Sequence, residues 1–361
     1  MERLTRVRIA DIAHKAGVSA GTVDRVIHNR GEVSPRTRQK VEAIIREMHY
    51  EPDLLASTLA SKKTYRFASL LPKSDHESLF WLQPAQGIEK AFKRIKHYGV
   101  AYQPYYFDYH NNNSFFDACN KLLEVPPDGL IMAPLFADLA AHFTDRAVEL
   151  GTAVVFINTH INHSSQRAYV GQDAFRSGKV AAQLLDLCTC CEGELGIINI
   201  INQKGSSGHL MSREEGFLDF FAQKKSSHKK ISTINVQARP AVSIHKELSE
   251  NLLGMDGEIK FKGLFVTNSR VYQVADFLEN TNKGPLRVVG YDLLDRSLAH
   301  LQKGNIDFLI SQNPVAQGYH SFMALFDILV RKKTIEKRQY LPIDIVTREN
   351  IDYYLKHQNN D

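Results

Sequence analysis

Ser19, Ala20, Gly21, Thr22 and Arg25 stand at the start of a short amphipathic segment, just after a glycine turn at Gly17. Residues of these types perform recognition rather than bond-making. By position they face base edges. An arginine can fork onto O6 and N7 of guanine, Ala20 can touch a thymine methyl, and Gly21 admits close backbone approach. His28 and Asn29, at the far end of the segment, are placed for the DNA backbone. The elements that must hold this set are legible in the run 7–27. Ile9, Ile12, Ala13 and Ala16 share one helical face. Gly17 accepts a positive φ without penalty. Ser19 is placed to cap the next helix, whose buried side is Val23, Val26 and Ile27. Two helices joined by such a turn form a helix-turn-helix, and the second can lie in a major groove.

The segment that follows supports this module. Ser34-Pro35 is a helix start, and Val41, Ile44, Ile45 and Met48 close a three-helix core. Tyr50-Glu51-Pro52-Asp53 breaks that helix. Leu54 to Ser61 is short and amphipathic, and a helix of that length is marginal alone in water. Residues 1–64 hold 12 Lys and Arg against 8 Asp and Glu, whereas the whole chain holds 45 against 40. Nearly all of the net +5 charge therefore lies where phosphate neutralisation would need it.

From Tyr65 the pattern changes to alternating strands and helices. The expected strands are 66–71, 100–107, 129–133, 153–157, 195–200, 231–236, 263–267, 287–291 and 308–311. The expected helices are 84–97, 114–124, 138–150, 175–188, 213–221, 244–253, 272–279, 294–302 and 315–330, with a short polar tail after Thr347. Such alternation implies parallel sheets covered by helices on both faces, here two doubly wound α/β lobes. Ligands of such sheets bind outside the carboxyl ends of the strands, which in a two-lobed protein face one cleft. The opening residues contain no secretory signal, and no apolar run approaches a membrane span, so a cytoplasmic protein without membrane contact is expected. Cys119, Cys188, Cys190 and Cys191 fit no zinc spacing, and no metal or cofactor is expected. No nucleophile elbow, P-loop, dinucleotide-binding glycine fingerprint or zinc-protease helix occurs, and a non-enzyme is expected.

Ala16-Gly17-Val18-Ser19, Thr22-Val23, Arg25-Val26, Val33-Ser34 and Tyr50-x-Pro52 resemble the LacI/GalR family of bacterial transcription regulators. The remainder resembles the family's usual partner, a periplasmic-binding-protein-like sugar sensor, through Val170-Gly171-Gln172-Asp173, Arg213-x-x-Gly216-Phe217, Thr267-Asn268, Val289-Gly290-Tyr291-Asp292 and Gln312. The resemblance implies a helix-turn-helix domain at 1–53, a hinge helix and linker at 54–64, and an effector domain at 65–361. It implies an N-lobe of about 65–172 and 313–340, and a C-lobe of about 173–312 and 341–361. It also implies a homodimer on a near-palindromic double-stranded operator, with Leu59 inserted into the minor groove and Ala56 allowing close approach there. Two positions depart from the family: Arg8 replaces a capping Thr or Ser, and Asp24 replaces a Ser near the phosphates.

In the sensor, the resemblance assigns Phe80 and Trp81 to the aromatic wall of a sugar site, and Arg213 to its cationic group. Asp292, Asn268 and Gln312 each follow a strand on the cleft side, and Asn158 stands where relatives often have an acid. His209 is a further neighbour, and Asp173 is read as a lobe linker. Amides, one acid, one arginine and aromatic rings suit a neutral or mildly acidic sugar. The function expected is a sugar-controlled DNA-binding regulator, read as a repressor. The alternatives are a sugar receptor with no transcriptional role and, since fold alone does not exclude it, an enzyme.

Overall fold

The structure is a computed structural model that describes residues 7–27, 31–48, 50, 63–74, 79–161, 165–189, 193–201, 208–224, 229–237, 244–279, 281 and 286–360. It divides into two compact units, 1–63 and 64–361, described separately.

In the first unit α1 is Ile9–Ala16, α2 is Ala20–Ile27 and α3 is Pro35–Glu47. Ile12, Ala13, Ala16, Val23, Val26, Val41 and Ile44 form its core. Gly17 takes φ 64° and ends α1. Arg8 has no side-chain acceptor with which to cap α1. Instead Asp11, one turn in, accepts from the Arg8 N–H at 2.8 Å and satisfies a group that the helix leaves open. Ser34 caps α3, accepting from Thr37 N–H at 3.2 Å, with Pro35 next in line.

The second unit contains two six-stranded sheets. The first comprises β1 (Tyr65–Pro72), β2 (Val100–Phe107), β3 (Gly129–Met132), β4 (Ala153–Ile157), β5 (Ala168–Gln172) and β11 (Arg338–Leu341), in the order β11-β5-β4-β3-β1-β2. The second comprises β6 (Glu194–Ile201), β7 (Lys230–Gln237), β8 (Phe261–Val266), β9 (Arg287–Tyr291), β10 (Phe308–Ser311) and β12 (Asp344–Val346), in the order β12-β10-β9-β8-β6-β7. Pairing is parallel throughout, except that β12 runs antiparallel to β10. β3 and β4 are buried along their whole length, the pattern of strands covered on both faces.

The covering helices are α4 (Leu82–Ile95), α5 (Asn112–Glu124), α6 (Ala137–Glu149), α7 (Ala174–Cys188), α8 (Gly208–Gln223), α9 (Ile244–Leu252), α10 (Val271–Glu279), α11 (Asp295–Lys303), α12 (Pro314–Leu329) and α13 (Ile351–Asn360). The sequence reading left out β5, β11, β12 and α13. The last corrects the expected polar tail: Ile351, Tyr354 and Leu355 pack onto the core of the second lobe.

The chain passes between the sheets at Gln172–Ala174, Ser311–Pro314 and Leu341–Asp344. Gln172 ties the three crossings together. Its amide Nε2 donates to Ser311 O at 2.9 Å and to Pro342 O at 3.2 Å. Asp173 is the cap of α7, accepting from Arg176 N–H at 2.9 Å.

Each lobe also has one unusually close helix pair. In the N-lobe a Cβ at Gly87 of α4 would fall 1.9 Å from Val315 O, and one at Gly318 of α12 would fall 2.0 Å from Pro84 O. In the C-lobe a Cβ at Gly178 of α7 would fall 2.0 Å from Arg213 O, and one at Gly216 of α8 would fall 2.0 Å from Phe175 O. Only glycine permits these backbones to meet.

Candidate functional site

On the first unit, Ser19 caps α2. Its Oγ accepts from the Thr22 N–H at 3.2 Å and lies 2.9 Å from Thr22 Oγ1. Ser19, Ala20, Gly21 and Arg25 are exposed and Thr22 is half-buried, while Val23 and Val26 face the core. A Cβ at Gly21 would meet only Ser19 Oγ, at 3.9 Å. Among the described residues the first turn of α2 is therefore unobstructed, and the Arg25 guanidinium is exposed in the turn that follows. His28, Asn29, Ala56 and Leu59 lie outside the described residues.

On the second unit, strand ends converge from both lobes onto one small cavity of ≈ 50 Å³. The N-lobe supplies Phe80 and Trp81 from a 3₁₀ turn after β1, Tyr109 after β2, Leu135 after β3 and Asn158 after β4. The C-lobe supplies His209 and Arg213 from α8, Asn268 and Arg270 after β8, and Gln312 after β10. Phe80 and Trp81 meet edge to face, with ring centroids 5.2 Å apart.

The polar centre is a chain of side-chain contacts. The Arg213 guanidinium lies 3.7 Å from the centroid of the Tyr291 ring. It donates to Thr267 O at 2.6 Å and to Gln312 Oε1 at 2.5 Å. Asn158 Nδ2 donates to the same Gln312 oxygen at 3.1 Å, across the lobes. The Gln312 Nε2 then donates to Asp292 Oδ2 at 2.7 Å. Across the lobes, Thr159 Oγ1 also lies 3.0 Å from His209 Nδ1, and Arg270 stands over the Tyr109 ring at 6.0 Å. Asn268 is partly committed to structure, donating to Ile200 O at 2.8 Å.

Asn158, Asp292 and Asn313 all adopt positive φ, at 66°, 67° and 51°. Such backbone is disfavoured for residues with a Cβ, and Asn and Asp tolerate it best. Strained residues of this kind gather where side chains must be aimed. All three follow directly or nearly so on strand ends, and two of them belong to the polar chain.

Burial pushes the Asp292 carboxyl up to about 6, opposed by Arg213 and by its bonds to Gln312. Burial, with Arg213 nearby, holds the His209 imidazole down to about 3, so it is neutral near pH 7.

Of the residues assigned from sequence, Phe80, Trp81, Asn158, Arg213, Asn268 and Gln312 line this cavity. Asp292 does not; it sits behind Gln312, 1% exposed. Tyr109, Arg270, Tyr272 and Leu294 line the cavity and were missed. Their signal was position, since each follows a strand end by a few residues. A larger groove of ≈ 790 Å³ lies along α4, α12 and α13, beside Lys90, Arg94, Tyr319 and Tyr353. It holds none of the buried polar chain, so the smaller cavity is the better candidate.

A helix-turn-helix unit and a two-lobed α/β unit with a polar interlobe cavity define a regulator of the ligand-sensing class. Residues 8–53 match the bacterial regulatory proteins of the lacI family, and residues 67–333 match the periplasmic binding protein domain. The chain belongs to the LacI family, with a periplasmic-binding-protein-like domain as its larger part. It is 23% identical over 351 residues to a sucrose operon repressor of Streptococcus mutans, covering 95% of this chain and 99% of that one. It is 35% identical to catabolite control protein A of Staphylococcus xylosus over 94 residues, which are 26% of this chain and 28% of that protein. A Bacteroides fragilis structure assigned as a LacI transcriptional regulator superposes with a TM-score of 0.75 at 31% identity, covering 81% of this chain and all of that one. Among the described residues, no helix is long and apolar enough to cross a membrane.

Proposed function

We propose that this chain is a cytoplasmic, homodimeric repressor whose grip on a near-palindromic operator is set by a sugar-like effector held between the lobes. The observation that carries the reading is the buried chain Arg213–Gln312–Asp292 with Asn158. It joins both lobes at the strand ends, beside an aromatic wall, as a site for an apolar ring face with hydroxyls would require. The sugar class is supported by the sucrose operon repressor among the relatives.

A cavity of ≈ 50 Å³ has room for about one or two waters. A sugar therefore enters only when the lobes part, and binding draws them together about the crossings tied by Gln172. The effector shifts operator affinity through its differential affinity for the two lobe arrangements. Two α2 helices related by a two-fold axis set the half-site spacing. The lobe limits expected from sequence, the hinge segment 54–64 and the wedge role of Leu59 are part of this proposal. The reading is non-enzymatic. Asp292 is bonded to an amide and His209 is neutral, so these two do not form an acid-base pair across the cavity.

The test is operator selection from random duplexes with the full chain, followed by a thermal-shift screen over monosaccharides, sugar acids and nucleosides. A palindrome should be enriched, and a sugar-like compound should stabilise the protein. Leu59→Ala should weaken operator binding and leave the effector shift intact. Enrichment without any palindrome, or unchanged operator affinity in the variant, would contradict the DNA half of the reading. Stabilisation by nucleosides alone would contradict the effector half.

A further inference from the structure

We infer that the effector bears a single carboxylate, as in a uronic or aldonic acid, and that this group lies against Arg213. The inference rests on the sugar-sensing reading and narrows it.

Arg213 is 2% exposed, and each of its hydrogen-bond partners is neutral: a backbone carbonyl and an amide oxygen. The ring beneath it is a tyrosine. No carboxylate lies within ion-pair distance of it among the described residues, and its Nε has no hydrogen-bond partner there. A buried guanidinium held only by neutral groups is expensive, and buried charges are ordinarily paired.

The acids that stand nearby do not supply the pair. Asp292 is bonded to Gln312, whose amide sits between it and Arg213. Glu214, next along α8, accepts from Asn199 at 2.8 Å and from Thr233 at 2.7 Å. At Asn158 an amide, not a carboxylate, shares the Gln312 oxygen with Arg213. The remaining described lining adds a second arginine, Arg270, and a neutral histidine, but no carboxylate. Among the described residues, the cavity wall is thus short of negative charge at the place where Arg213 reaches it.

A carboxylate on the ligand makes good that shortage with charge-assisted hydrogen bonds. One buried guanidinium with no carboxylate at ion-pair distance among the described residues matches one negative charge. A phosphorylated sugar carries about two at neutral pH and calls for a cationic cluster or a nest of backbone N–H groups.

The test has two arms, both on the full chain. In the first, Tyr and Trp emission and melting temperature are followed during titration with glucuronate, galacturonate and gluconate, with glucose and galactose as neutral counterparts, and with glucose 6-phosphate. Trp81, the single tryptophan, lines the cavity. The inference expects one of the acids to bind about ten- to a hundredfold more tightly than the neutral sugars, as expected for a hydrogen bond to charge. It expects Arg213→Gln to abolish that preference. Neutral sugars binding as well as the acids would overturn the inference and keep the sugar reading. Glucose 6-phosphate binding best would overturn the choice of carboxylate. Silence across all six compounds would count against both. The second arm adds a charge on the facing lobe. Asn158→Asp replaces the amide that shares the Gln312 oxygen with Arg213, and it should weaken binding of the acid more than binding of the neutral sugars. Equal weakening of acid and neutral sugars would overturn the inference.

Discussion

The two lobes build the same sheet and the same glycine-lined helix pair, yet put them to different uses. In the N-lobe the pair α4–α12 meets through Gly87 and Gly318, at Val315 and Pro84. Each contact lies three residues beyond a cavity residue, Gln312 and Trp81 respectively. In the C-lobe the pair α7–α8 meets through Gly178 at the backbone of Arg213 itself. The N-lobe accordingly presents mostly aromatic and aliphatic side chains, and the C-lobe most of the polar groups. On the proposed function, a ligand between them would be oriented by this asymmetry, with its apolar face toward Trp81 and its polar edge toward Arg213. The comparison teaches that one packing device, repeated, positions an apolar wall at a distance and a charged group directly.

The sharpest way to break this account is to give the glycines side chains. Gly178→Ala and Gly318→Ala insert a Cβ equally close to a carbonyl oxygen. Overpacking costs more than the gain in helix propensity returns, so each should lose about 2 kcal/mol of stability, measured by urea unfolding. The variants should part company in binding. Gly178→Ala shifts the backbone that carries Arg213 and should weaken the effector by about tenfold or more, as read by titration. Gly318→Ala should retain most of the affinity. Equal losses of binding would mean that the C-lobe pair has no special link to the site.

The next effect is on pH dependence, between two groups of the C-lobe. His209 titrates near 6.5 when unfolded but about 3 when folded, so its contribution falls away as pH drops through that interval. Asp292 has the opposite sign. Its carboxyl rises from 3.8 to about 6 on folding, so its contribution is present below 3.8 and is lost as pH rises through 6. Between about pH 4 and pH 6 the two slopes oppose each other. His209→Gln should therefore gain about 1–3 kcal/mol relative to the wild-type protein on going from pH 7 to pH 4, by urea unfolding at each pH. A constant difference would show that His209 does not stay neutral. Asp292→Asn should lose ground to the wild-type protein over the same range.

The smallest expected effect is on the aromatic side. Trp81→Phe keeps a ring and should weaken effector binding by no more than about 1 kcal/mol, because geometry rather than charge is altered. A larger loss would show that the Trp81 indole carries recognition that the polar groups of the C-lobe do not.

Much of this was legible in the sequence, and the reasons differ by element. The headpiece is local: spacing of Ile12, Ala16, Val23 and Val26 fixes its helices, and Gly17 and Ser19 fix the turn. Most inner strands are continuous apolar runs and were equally plain; β5, Ala-Tyr-Val-Gly-Gln, is too short and mixed a run to stand out. Edge strands β11 and β12 carry half-polar sequences, Arg-Gln-Tyr-Leu and Asp-Ile-Val, whose pairing depends on partners far along the chain. The helix α13 was missed for the same reason, since Ile351 and Leu355 gain their meaning only from the lobe they cover. In the cavity, Arg213 and Gln312 could be named from motifs. That Gln312 would separate Asp292 from Arg213 could not, because rotamers across a lobe junction have no one-dimensional signature. Tyr109 and Arg270 were hidden because loops after strands carry no periodicity.

The most direct test of the whole account measures operator affinity of the full chain with and without a cavity ligand, in the wild-type protein and in Arg213→Gln, at one fixed salt concentration. The account predicts that the ligand changes operator affinity by about five- to 150-fold in the wild-type protein and leaves it unmoved in the variant. An operator affinity that ignores a ligand bound in the cavity, or that responds equally in the variant, would contradict it.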